Sequence, residues 1–116
     1  MLSDFTSREM VPQGMILVVD DQITNHHIID SFLMILGYKN RNTSVVYVQD
    51  GFKAVNHVTQ CFTDRQPLRY ALILSELKMP HIDGYLTVRR IREVYTSMGI
   101  QAEDQPKIVA VTSLIE

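Results

Sequence analysis

The sequence predicts an α/β domain built on a doubly wound parallel sheet, and three observations carry that expectation. Four short apolar runs, Met15 to Val19, Ser44 to Val48, Tyr70 to Ser75 and Ile108 to Val111, read as strands: the first is continuously apolar and β-branched at its end, the pattern of a strand buried on both faces, and the second is again β-branched. Between them apolar residues recur at spacings of three and four. The order is therefore β-α-β-α-β-α-β, which calls for helical crossovers between parallel strands. Acids also end two of the strands, Asp20-Asp21 after the first and Glu76 after the third, at the edge where open parallel sheets place their ligand sites.

Taken in order, residues 1–14 lack periodicity and carry Pro12 and Gly14, the mark of a flexible N-terminal arm leading into the domain over 15–116. After the first strand, Asp21 is placed to cap a helix whose apolar positions are Ile28, Phe32 and Ile35 with Ile29, Leu33 and Leu36. Gly37 ends it, where helices favour a residue tolerant of positive φ. Asp50-Gly51 turns the second strand into a second helix, with Phe52, Val55, Val58 and Phe62 expected on one face. Pro67 marks a loop before the third strand. Past the segment Pro80 to Gly84, a third helix repeats Val88, Ile91, Tyr95 and Met98. Pro106 then introduces the fourth strand, which runs into Thr112-Ser113.

Composition narrows the function. With 116 residues, 46% hydrophobic and 21% charged, the chain is an ordinary globular domain with one modest core. A net charge of -2 with interspersed signs gives no basic field for nucleic acid or an anionic membrane. Arg89, Arg90 and Arg92, the one basic cluster, read as a solvated helix face. A single cysteine, Cys61, excludes an internal disulfide and a thiolate zinc site, which suits a reducing cytoplasm. No apolar run is long enough to span a bilayer, and MLSDFTSREM lacks the basic-then-apolar pattern of a secretory signal.

The chemistry concentrates in ALILSELKMPHIDGY, Ala71 to Tyr85. An apolar strand delivers Glu76, the chain breaks at Met79-Pro80, and the loop closes on Asp83-Gly84. With Asp20-Asp21 at the same sheet edge, the converging carboxylates suit a hard cation with oxygen ligands. Adjacent His26 and His27 point about 100° apart on a helix, so they form no two-ligand pair and read as surface or boundary residues. His81 reads as a solvent-facing loop residue, and Tyr85 and the methionines as packing. Gly-x-Gly-x-x-Gly after a strand and Gly-x-x-x-x-Gly-Lys are both absent, which weighs against nucleotide or flavin binding.

These motifs together resemble the receiver domain of two-component response regulators, particularly those attached to hybrid histidine kinases. ILVVDDQITN is similar to the first strand with its acid pair, DGFKAV to the start of the second helix, LILSELKMPHIDGYLTVRRIRE to the phosphoacceptor strand, loop and helix, and PKIVAVTS to the fourth strand with its hydroxyl. The resemblance covers Met15 to Ser113 and implies a flavodoxin-like fold, here of four strands and three helices. It implies that Asp21 ligates Mg²⁺ directly, Asp20 through water, and Lys78 through its backbone carbonyl. Glu76 takes the phosphoacceptor position, and Thr112 is the hydroxyl that reports phosphorylation. The implied partners are a histidine kinase, a histidine phosphotransfer protein or an output protein, with no direct nucleic-acid contact.

Two departures modify that expectation. The family has aspartate where Glu76 stands, so this carboxylate is carried one methylene further out. A misplacement of about 1 Å can cost on the order of 100-fold in rate, so phosphoryl transfer is expected to be badly compromised. The family's fifth strand, last two helices and phosphate-pairing lysine are also not found in the sequence, giving the expectation of a receiver truncated after the fourth strand. The apolar face of the first helix would then stand open. The reading is a degenerate receiver that works by protein-protein interaction and is not an enzyme. The alternative is an Mg²⁺-dependent phosphohydrolase on the same plan, although the sequence has adjacent acids in place of an Asp-x-Asp.

Overall fold

The structure, a computed structural model, describes residues 14–37, 45–63, 70–79 and 83–111. Its elements are β1 (Met15–Val19), α1 (Ile23–Ile35), β2 (Val45–Val48), α2 (Gly51–Cys61), β3 (Tyr70–Glu76), α3 (Gly84–Ser97), a short 3₁₀ turn (Ala102–Asp104) and β4 (Lys107–Val111). The strands form one sheet in the order β2-β1-β3-β4, and every pair is parallel. This is the flavodoxin-like doubly wound plan, with β1 in the middle, where both its neighbours can cover it.

Strand alternation splits the core in two. Leu17 and Val19 of β1 face α2 and α3, packing with Ala54, Val58, Cys61, Ile73, Ile91 and Tyr95. Ile16 and Val18 face the other way, against Leu33 of α1 and Val45. All four β1 residues are fully buried, and each contributes about 1.5–3 kcal/mol of apolar burial. A polar residue anywhere in this run would leave one of the two layers unsealed.

Several expected details change. Gln22, not Asp21, is the residue preceding the first turn of α1, and no side chain caps it. Asp20 takes the nearby amide instead, as described below. On α2 the buried residues are Gly51, Ala54, Val58 and Cys61, whereas Phe52 is 60% exposed. Phe52 lies about 200° around the helix from Ala54, and the small side of α2 allows close approach to the sheet. On α3, Ile91 and Tyr95 are buried as expected, but Met98 lies past the helix end and is half exposed, while Thr87 is fully buried. The Thr87 hydroxyl is satisfied by donating to the Asp83 carbonyl at 2.9 Å. β4 is not buried on both faces: it is an edge strand, with Val109 39% exposed.

Other local signals act as read. Asp50 and Asp83 cap α2 and α3 by accepting from the amides of Lys53 and Leu86, both at 2.8 Å. Gly37 closes α1 at φ +88°. Arg92 is a strut, not part of a solvated cluster: it donates to Gln105 Oε1 and to the Pro106 carbonyl, tying α3 to the start of β4. Arg89 and Arg90 are exposed.

On the open side of α1, Ile28, Phe32 and Ile35 are 50%, 60% and 79% exposed, so only Leu33 and, in part, Ile29 serve the core. Tyr70 starts β3 with 4% exposure, and its buried hydroxyl has no hydrogen-bond partner among the described residues. Burial, helped by Cys61 and Tyr95, pushes this phenol well above the ordinary tyrosine range. Among the described residues no helix is long and apolar enough to cross a membrane. Residues 1–13, Pro67 and Ser44 lie outside the described residues.

Candidate functional site

The sheet register brings the predicted acids to one edge. Val19 is opposite Ser75 in the β1–β3 pair, so Asp20 and Glu76 follow at the same level on strands spaced about 4.8 Å apart. Both are buried, at 1% and 4% exposure, and Asp21 beside them is half-buried. Lys78 is exposed just beyond β3. Thr112, with Pro80 and His81, lies outside the described residues, although Val111 just before Thr112 is opposite Glu76 in the β3–β4 pair.

A buried carboxylate needs donors, and each of these has found them within the chain. Asp20 Oδ1 accepts from the Gln22 amide at 2.9 Å, and Asn25 Nδ2 reaches both oxygens, at 3.3 and 3.1 Å. Its backbone is held as well: the amide donates to the Val48 carbonyl at 3.1 Å, and its own carbonyl accepts from His26 Nε2 at 2.8 Å. His26 packs against the ring of Tyr47 with centroids 4.9 Å apart, and the Tyr47 hydroxyl reaches Asp30 Oδ1 at 3.4 Å. His26 is thus a clamp on the acid-bearing end of β1, a role that residue type alone did not reveal. Its position, on the first turns of the helix after an acid that ends a strand, was the available signal. His27 is exposed, as expected.

Glu76 turns back on its own loop. Its Oε1 accepts from the Leu77 amide at 2.8 Å and from the Lys78 amide at 3.3 Å. Two successive backbone amides aimed at one oxygen form a small anion nest. The extra methylene of glutamate supplies the reach.

The loop is cinched from behind by Gly84, whose amide donates to the Leu77 carbonyl at 2.9 Å. A Cβ on Gly84 would overlap the Glu76 carbonyl oxygen and the Leu77 Cα, so only glycine fits there. Sequence reading marked Asp83-Gly84 as a turn; its contact with the acid-bearing strand end is tertiary.

Mg²⁺ asks for near-octahedral oxygen coordination and usually retains several waters. Among the described residues no three His, Cys, Asp or Glu side chains gather closely enough to hold a metal ion. With Glu76 on the loop amides and Asp20 on Asn25, the side chains as arranged do not fit a three-carboxylate centre. Asp21 and the Lys78 carbonyl are the other oxygens that the receiver resemblance places on this edge, Asp21 half-buried and Lys78 exposed.

A doubly wound parallel sheet with acids at the ends of its first and third strands is an arrangement that receiver domains of the two-component type share, and the relatives identify the chain as one of them. The chain is 30% identical over 95 residues to two-component system protein A of Emericella nidulans, covering 82% of this chain and 13% of that protein. It superposes with a TM-score of 0.71 and 28% identity on the receiver domain of the histidine kinase CKI1 from Arabidopsis thaliana, which was complexed with Mg²⁺ and BeF₃⁻. That match covers 95% of this chain and 70% of the other. The receiver domain of Saccharomyces cerevisiae Ssk1, crystallised with the histidine phosphotransfer protein Ypd1, matches with a TM-score of 0.58 and 25% identity over 88% of this chain and 63% of that one. No protein-family model matches. The chain is a phosphorelay receiver module by fold and by relatives, and it spans a small fraction of the length of the curated proteins it resembles.

Proposed function

We propose that this receiver acts by docking, with an acceptor position that holds a fixed anion instead of passing on a phosphoryl group. The observation that carries the reading is the Glu76 carboxylate, buried and bound by the Leu77 and Lys78 amides. A nucleophile must lie in line with the phosphorus at near-contact distance. A carboxylate turned onto its own loop is committed elsewhere, while its negative charge remains in the pocket.

The pocket residues are Asp20, Asp21, Glu76, the Lys78 carbonyl and Thr112, within a receiver unit over 15–116. Mg²⁺ is the ion found with the CKI1 receiver, whereas here Asp20 and Glu76 are engaged by donors of the chain itself. The partner class is a histidine kinase, a histidine phosphotransfer protein or an output protein in the cytoplasm. The docked phosphotransfer protein on the Ssk1 receiver supports the second of these. The module is a signalling element and not an enzyme.

Intact mass after incubation with Mg²⁺ and a small-molecule phosphodonor tests the reading. No phosphoryl increment is expected on the wild-type chain, with retained binding to a phosphotransfer protein. An increment localised to Glu76 would overturn it, and steady turnover of a generic phosphate ester would favour a phosphohydrolase.

A further inference from the structure

We infer that the pocket is closed without a cation, because the side chains that would neutralise or ligate a metal have been redirected to donors of the chain itself. The inference rests on the receiver reading of the pocket and concerns its metal dependence. Three acids at one sheet edge ordinarily need a counter-ion, since buried carboxylates without partners are costly. Here Asp20 receives three hydrogen bonds, two of them from Asn25, and Glu76 receives two from backbone amides. Four neutral donor groups making five hydrogen bonds serve two buried carboxylates, and Asp21 is half-buried.

The cause lies in the length of Glu76. A metal shared by the two strand ends needs the β3 carboxylate to point across toward Asp21. In this chain the longer side chain folds back, and the Gly84 contact holds the loop against it, so that the Leu77 and Lys78 amides stay in reach. A cation entering the site would have to pull Glu76 from both amides, or bind through Asp21 and the Lys78 carbonyl with water completing the shell. Two protein oxygens make a weak site for an ion that gives up its waters reluctantly.

The experiment titrates the full chain, Glu76→Asp and Glu76→Gln with Mn²⁺ as a paramagnetic probe, reading line broadening of the Asp21 and Lys78 amides, and with Mg²⁺ in parallel by thermal melting. Wild type and Glu76→Gln are expected to bind equally weakly, because the charge removed is not a ligand. Glu76→Asp is expected to bind roughly 10- to 100-fold more tightly, the span by which adjustments around a metal site change affinity.

Tight saturable binding by wild type that weakens tenfold or more in Glu76→Gln would make Glu76 a ligand and overturn the inference. A Glu76→Asp variant that melts cooperatively yet binds no better than wild type would also overturn it, since side-chain length would then not be the cause. Failure to bind a phosphotransfer protein with these metal results intact would count against the docking function alone.

Discussion

Replacing Gly84 by alanine tests how the pocket loop is held. The added Cβ would meet the Glu76 carbonyl oxygen and the Leu77 Cα, both backbone atoms, so no side-chain rotation relieves the clash. Overpacking of this kind costs about 1–3 kcal/mol. The hydrogen bond from the Gly84 amide to the Leu77 carbonyl, 2.9 Å long, would stretch and lose about 1 kcal/mol more. Alanine returns up to about 1 kcal/mol of helix preference at the start of α3. The net expectation is a loss of about 1–3 kcal/mol, or a melting temperature lower by about 5–20 °C for a domain of this size.

Thermal melts by circular dichroism give that number, and amide spectra give its location. The Leu77 and Lys78 resonances should move, because their amides hold Glu76. Gly37→Ala and Gly99→Ala serve as comparisons: a Cβ at either meets nothing within 4 Å, and the cost comes from φ of +88° and +81° alone. Those variants should lose about 1–2 kcal/mol and leave the pocket amides unshifted. A Gly84→Ala chain that melts within about 2 °C of the parent, with Leu77 and Lys78 unchanged, would refute the claim that this glycine holds the loop.

Two further outcomes follow from burial. Leu33→Ala should cost about 2–4 kcal/mol in urea unfolding, whereas Ile35→Lys, on the face of α1 that is 79% exposed, should change stability by no more than about 0.5 kcal/mol; equal losses would mean that α1 is turned the other way. Tyr70→Phe removes a buried hydroxyl that has no partner among the described residues and should be neutral or stabilising by about 1 kcal/mol. Because the folded phenol keeps its proton to higher pH than the unfolded one, the parent loses stability as pH climbs beyond about 10, and Tyr70→Phe should flatten that fall in alkaline urea melts.

The strands and helices were legible because their signals are local. A continuous apolar run such as Met15 to Val19 has only one comfortable home, the middle of a sheet covered on both sides, and Asp50 and Asp83 start helices through their own side chains. Which acids end which strands was legible for the same reason. That the strands run parallel followed from the β-α alternation, whereas the order that makes β1 and β3 neighbours, and so sets Asp20 beside Glu76, was read from the fold.

Tertiary structure decided what periodicity cannot separate. The spacing of Ile28, Phe32 and Ile35 satisfies a helix face, but so does that of Ile29 and Leu33, and the sheet has room for one of them. Phe52 lost its place to Ala54 and Cys61 because close packing of α2 favours its small side. The pocket's hydrogen bonds were equally out of reach. That Asn25 grips Asp20, that His26 clamps its carbonyl, and that Glu76 turns to the Leu77 and Lys78 amides while Gly84 presses from behind all depend on backbone directions set by distant segments. Sequence determined that a carboxylate of glutamate length stands at the end of the third strand; the fold decided which donors it meets.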